Sequence, residues 1–223
     1  MTHVLSAAPQ PTYRLVPSRF PPIGLFDTVA TAADAEAVME LAGWTNDRLV
    51  AERIDRLPPD QWVYGRPNSS IVMAAFLHIA PGGMRFNGPD LGAWYASAEI
   101  ATAVAEVGHH LRREAAARRV PAMRRTYRNY SAALLGEYVD IRGEPADLAG
   151  VLASDSYVAS QAFAQPLRRE GHYGILYCSV RRRCGSNVAV WKPFGVTDVV
   201  QAEHFEISVR ADERRIEVRT LSG

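Results

Sequence analysis

From Met84 to Leu111 the chain changes character several times in quick succession, and this stretch limits what the rest can build. Met84-Arg85 reads as the end of a strand. Gly88-Pro89-Asp90-Leu91-Gly92 is loop chemistry. Trp94-Tyr95 reads as a second, short strand, and a helix follows. Ile100, Val104, Val107 and Leu111 recur at helical spacing and give that helix one apolar stripe. Ser97 is a candidate N-cap, since its oxygen can accept an orphan N–H of the first turn. Glu106 falls beside the apolar stripe, so its carboxylate reaches water or faces a cleft. Glu99, in the first helical turn, is explained by the helix dipole alone.

The flanking segments follow the same logic. Residues 1–12 read as a loose, Pro-rich lead-in, and residues 13–223 as one domain. Tyr13-Arg14-Leu15-Val16 alternates like a short strand. A helical extension occupies residues 20–80 within the domain. It has a helix from Thr31 to Leu41 with Thr31 as cap, another from about Asp47 to Leu57, and a third from Ile71 to His78 capped by Asn68 or Ser69. After the Glu106 helix comes an arginine-rich run: Arg112, Arg113, Arg118, Arg119, Arg124, Arg125 and Arg128. Tyr127 to Asp140 is strand-like, a helical turn is expected from Asp147 to Leu152, and Ser156 to Arg169 reads as a helix that Pro166 kinks or ends. Gly174 to Val180 is the strongest β run, and Asn187 to Trp191 returns from it. Phe205 to Arg210 and Arg215 to Arg219 form a closing hairpin. The order predicts an α+β fold with a mixed or antiparallel sheet and interleaved helices, without the regular rhythm of a doubly wound parallel sheet.

Composition excludes several classes. A formal charge of +1 over 223 residues predicts no bulk attraction to nucleic acid or anionic lipid. No uninterrupted apolar run approaches the length of a membrane span, and the N-terminus does not read as a signal peptide. The two cysteines, Cys178 and Cys184, fit no metal-ligand pattern and read as structural thiols in a reducing compartment. His109-His110 point about 100° apart on a helix and belong to no H-E-x-x-H motif, so no metal is expected.

At Arg85-Phe86-Asn87, Trp94-Tyr95, Thr102-Ala-Val-Ala-Glu106 and Tyr177-Cys178-Ser179-Val180-Arg181 the chain resembles the RES-domain family. The resemblance runs from Tyr13-Arg14-Leu15 to Trp191-Lys192-Pro193, with Cys178 where the family often has proline. It implies a toxin of a bacterial toxin–antitoxin pair, with a fold similar to that of the ADP-ribosyltransferases. It also implies NAD as a consumed substrate with no resident cofactor, and a helical Xre-like antitoxin as partner in a cytoplasmic hetero-oligomer. The family's active-site positions fall on Arg85, Tyr95, Glu106 and Ser179, with Asn87 beside them. The absence of G-x-G-x-x-G agrees with NAD being consumed and not used as a hydride carrier.

The residue types suit that chemistry. Splitting the nicotinamide–ribose bond develops positive charge on the ribose, which a carboxylate such as Glu106 stabilises. Arg85 matches a pyrophosphate bidentately. Tyr95 can stack on nicotinamide. Ser179 can hydrogen-bond a phosphate or the nicotinamide amide, and no nucleophile elbow surrounds it. The acceptor stays open among water, phosphate and a protein side chain, the last making a mono-ADP-ribosyltransferase. A nucleic-acid-binding protein using the Arg112–Arg128 run is a further alternative; a solvated helix face or a docking face for an acidic antitoxin explains the run equally well.

Overall fold

The computed structural model describes residues 3–20, 24, 26–45, 55–143, 148 and 150–221. In chain order the elements are β1 (Leu5–Ala7), β2 (Thr12–Pro17), α1 (Ala32–Thr45), α2 (Ser69–Leu77), β3 (Trp94–Ser97), α3 (Ile100–Ala117), β4 (Ala122–Leu134) and β5 (Glu137–Asp140). There follow α4 (Val158–Arg169), β6 (Gly174–Cys178), β7 (Ser186–Val190), β8 (Val196–Arg210) and β9 (Ile216–Leu221). The strands join one mixed sheet in the order β1-β5-β6-β7-β3-β2-β4-β8-β9. Among the described strands only β5 and β6 pair in parallel. This is the α+β architecture that the alternation of strand and helix patterns predicts.

Residues on alternate sides of each strand enter different cores. One face carries Trp94, Ala96, Leu176, Val188 and Val190, packed against Met39, Val72, Met73 and Phe76 of α1 and α2. The other face is shared by two helices. Helix α4 covers its β5–β7 half through Ala164 and Leu167, against Ile175, Tyr177 and Ala189. Helix α3 covers the β2–β4–β8 half through Ala103 and Leu111, against Leu15, Tyr127, Phe205 and Ile207. Strand β3 lies between these halves. Its pairing with β2 is confined to Tyr13 opposite Ser97, so the sheet opens there while β3 and β7 stay paired over four residues.

Several expectations change. The N-terminal segment is not loose: β1 pairs antiparallel with β5, and Gln10 bonds both the carbonyl and the N–H of Leu134. Helix α1 continues to Thr45, past the expected stop at Leu41. Thr31 does cap it, accepting the N–H of Asp34 at 3.1 Å. Neither Asn68 nor Ser69 caps α2 through its side chain. The carboxylate of Asp27 does so from a distance, accepting the N–H groups of Asn68 and Ser70 at 3.0 and 2.8 Å. Ser97 is not a cap either, since it lies inside β3 and α3 begins at Ile100. The helix expected from Asp47 to Leu57 falls mainly on residues outside the described ones, with Asp55 to Leu57 in a turn. The turn expected from Asp147 is also partly outside them. Helix α4 runs through Pro166 to Arg169.

Candidate active site

A cavity of about 280 Å³ opens where α3 and α4 leave β3 uncovered. Ala103, Glu106, Val107 and His110 line it from α3, one stripe at i, i+3, i+4 and i+7. The sheet supplies a cross-strand row, because Tyr177, Asn187, Ser97 and Tyr13 are register partners across β6, β7, β3 and β2. All four line the cavity, as do Arg14, Arg85, Tyr95, Tyr157 and Arg181.

Glu106 is held at one oxygen. Its Oε1 accepts the Ser179 hydroxyl at 2.7 Å and the Asn187 amide Nδ2 at 2.7 Å. Ser179 Oγ in turn accepts the N–H groups of Arg181 and Arg182, both at 3.1 Å. Its single proton therefore goes to Glu106, and its lone pairs organise the turn after β6. The serine lies behind the glutamate and is not on the cavity wall. Glu99, the rival carboxylate, is exposed and paired with Arg182 at 2.6 Å.

Arg85 is not at a strand end. It occupies a tight turn closed by the isolated bridge between Met84 and Asn87. The side chain is buried, at 6% exposure. Its Nη1 donates to the carbonyls of Val151 at 3.3 Å and Ala153 at 2.8 Å, and the guanidinium lies 5.0 Å from the Tyr157 ring centre. The Tyr95 hydroxyl accepts the Phe86 N–H and donates to Asn87 Oδ1, each at 2.8 Å. Asn87 thus sits behind Tyr95 and also donates to the Gly88 carbonyl. Of the five residues singled out from sequence, Arg85, Tyr95 and Glu106 converge on the cavity wall, and Asn87 and Ser179 support them from behind.

Burial sets the electrostatics. It pushes the Tyr95 and Tyr177 phenols well above their ordinary range, so both stay protonated. It lowers Arg14 to about 10, still charged at neutral pH. Arg181 is lowered by burial too, an effect that Glu106 opposes. His110 is exposed to solvent overall, but desolvation of its ring, together with Arg113, Arg181 and Arg85, holds it below its ordinary value, against the opposing carboxylate of Glu106.

Asn187 and Tyr157 carry no signal that singles them out in one sequence; Ser97 reads only as a helix cap, and Arg14 and Arg181 only as parts of the segments that carry the family resemblance. Arg14 donates to the Tyr95 carbonyl at 3.0 Å and lies 4.8 Å from the Trp94 ring centre, and its buried Nε has no partner among the described residues. Its alternation within Tyr13-Arg14-Leu15 marks a strand and no more. Cys178, where the family often has proline, donates its thiol to the Arg142 carbonyl at 3.2 Å, a structural use. Among the described residues no group of three or more His, Cys, Asp or Glu side chains is placed to hold a metal, and no helix is long and apolar enough to cross a membrane.

The arginine-rich run is largely tied to the protein itself. Arg112 donates to the carbonyls of Arg210, Arg214 and Arg215. Arg118 and Arg125 pair with Glu114, Arg124 with Glu206, and Arg128 binds the Phe20 carbonyl.

The fold and cleft define an α+β protein with a glutamate-centred, arginine-lined site. The RES-domain family model matches residues 53–210, well over half of the chain, and the chain belongs to that family. The match leaves out Tyr13-Arg14-Leu15 and extends past Trp191 to Arg210. Among solved structures, a chain from the crystal structure of the M. tuberculosis MbcT–MbcA toxin–antitoxin complex is similar at 14% identity. The likeness covers 55% of this chain and 73% of that one, with a TM-score of 0.42. A comparison with curated proteins returns no match.

Proposed function

We propose that this protein cleaves the nicotinamide–ribose bond of NAD and acts as the toxin of a cytoplasmic toxin–antitoxin pair. The observation that carries the reading is Glu106, a carboxylate on the cavity wall pinned at one oxygen by two neutral donors. As the bond from the ribose C1′ to the nicotinamide nitrogen breaks, its electron pair leaves with nicotinamide and positive charge grows on the ribose. A fixed carboxylate stabilises that charge without reorganising. Arg14, Arg85 and Arg181 give the cavity the positive charge that a pyrophosphate requires. An oxygen of water or phosphate then bonds to C1′, and the acceptor proton goes to solvent. A small helical antitoxin that covers the cavity mouth would exclude NAD.

The test is incubation of purified protein with NAD, with and without phosphate, and mass spectrometry of the products. Free nicotinamide with ADP-ribose indicates hydrolysis, a phosphorylated ADP-ribose indicates phosphorolysis, and ADP-ribose on a protein indicates transfer. Glu106→Gln keeps size and shape. It is expected to fold like the parent and to lose about 100- to 1000-fold in turnover. Intact NAD after prolonged incubation with the parent would overturn the proposal.

A further inference from the structure

We infer that Asn187, itself oriented by Ser97, is a positioning residue that decides which oxygen of Glu106 meets the substrate. This rests on the NAD-cleaving reading of the cavity. Ser97 and Asn187 face each other in register on β3 and β7 and are almost fully buried, at 4% and 3% exposure. The Ser97 hydroxyl lies 2.7 Å from Asn187 Oδ1, and Asn187 Nδ2 lies 2.7 Å from Glu106 Oε1. Only this amide orientation sets a donor against an acceptor at both contacts. If the amide were turned over, its oxygen would face the carboxylate, acceptor against acceptor, at a site where the mismatch is unscreened.

The consequence is an asymmetric carboxylate. Oε1 holds two donors, from Ser179 and Asn187, while Oε2 accepts no hydrogen bond from a described residue. Glutamate on a helix has three rotatable side-chain bonds, and its helix alone would not fix the carboxylate plane. The donors approach from the turn after β6 and from β7, so they hold it from two elements and leave Oε2 as the oxygen that meets ribose. The sheet carries this alignment: β7 is paired on both sides, with β3 and with β6, so Asn187 sits on backbone that cannot drift. A displacement of about 1 Å in a reacting group costs on the order of 100-fold in rate.

The experiment measures NAD turnover by the full chain with Asn187→Ala, Asn187→Asp, Ser97→Ala and Ser97→Thr. A positioning role predicts that Asn187→Ala lowers kcat by roughly 10- to 100-fold with KM for NAD within about twofold. Asn187→Asp, which sets an acceptor against Oε1, is expected to fall at least as far. Ser97→Ala gives a smaller loss, and Ser97→Thr, which keeps the hydroxyl, recovers most of it. Parent-like kcat in Asn187→Ala overturns the inference, and so does a change confined to KM, which would make Asn187 a substrate ligand. If the parent consumes no NAD, the functional proposal fails by itself. The positioning claim is then read by NMR, from the Asn187 side-chain NH2 protons. Their slow exchange with water is expected to be lost in Ser97→Ala and Glu106→Ala, and unchanged exchange in both overturns it.

Discussion

Tyr95 shows how one side chain can serve both wall and scaffold. Its ring lines the cavity, while its hydroxyl satisfies the Phe86 N–H and Asn87 Oδ1 inside the Arg85 turn. Tyr95→Phe keeps the ring and orphans both partners. It is expected to cost about 1–3 kcal/mol, measured as a lowered midpoint in chemical denaturation. His109 offers a pH-linked counterpart. Burial, aided by Arg181, His110, Arg113 and Arg112, lowers its pKa to about 4 from an ordinary 6.5. Between those values the unfolded chain binds a proton that the folded chain refuses, so folding weakens as pH falls through that window and regains stability as pH rises. Stability is thus expected to drop between pH 6.5 and pH 4, and His109→Gln to flatten that part of the thermal-melt profile. An equally steep profile in the variant would assign the dependence to other groups.

At the scale of elements, α2 depends on a residue far from it in the chain. The carboxylate of Asp27 closes the first turn of α2 through the N–H groups of Asn68 and Ser70. It also complements the helix dipole. Asn68 is left-handed, with φ of 63°, and turns its own amide outward to the Val199 carbonyl. Asp27→Ala is expected to destabilise by about 1–2 kcal/mol, with a measurable fall in Tm. An unchanged Tm would show that water replaces the carboxylate without loss. The approach of α2 to the loop before β3 is equally specific: a Cβ on Gly92 would lie 2.2 Å from the Ala75 carbonyl oxygen, which is backbone and cannot yield.

At the scale of the whole molecule, charge is balanced and largely consumed inside the fold. The arginines between Arg112 and Arg128 tie the β8–β9 hairpin to α3 and brace β4, through carbonyls and through Glu114 and Glu206. A protein whose basic residues are so occupied, with a formal charge of +1, has little left to displace counterions from a duplex. A gel-shift series with double-stranded DNA is expected to show no salt-dependent complex at micromolar protein. A shift that weakens steeply with salt would restore the nucleic-acid reading of the run.

How far sequence reaches is clearest where local and distant contacts separate. The α+β class, the β6–β7 and β8–β9 hairpins and the amphipathic α3 were legible, because period-2 and period-3.6 apolar patterns lie within a few neighbouring residues. The convergence of Arg85, Tyr95 and Glu106 was anticipated only through the family resemblance, since no spacing brings a turn, a strand and a helix together. Other features stayed hidden for one physical reason: the partners are far apart in the chain. Ser97 looked like a cap because serine before a helix usually is one, yet its hydroxyl meets Asn187, 90 positions away. Asn68 looked like a cap too, and Asp27 took that role from across the fold. The residues at 3–12 lack strong periodicity, but the open edge of β5 recruits Leu5–Ala7 as a strand. The amino-acid sequence by itself determined most of the strands and helices and which of their faces would be apolar. Only the tertiary structure decided which polar groups meet, because a buried hydrogen bond forms wherever the packed sheet aligns donor and acceptor, regardless of their separation along the chain.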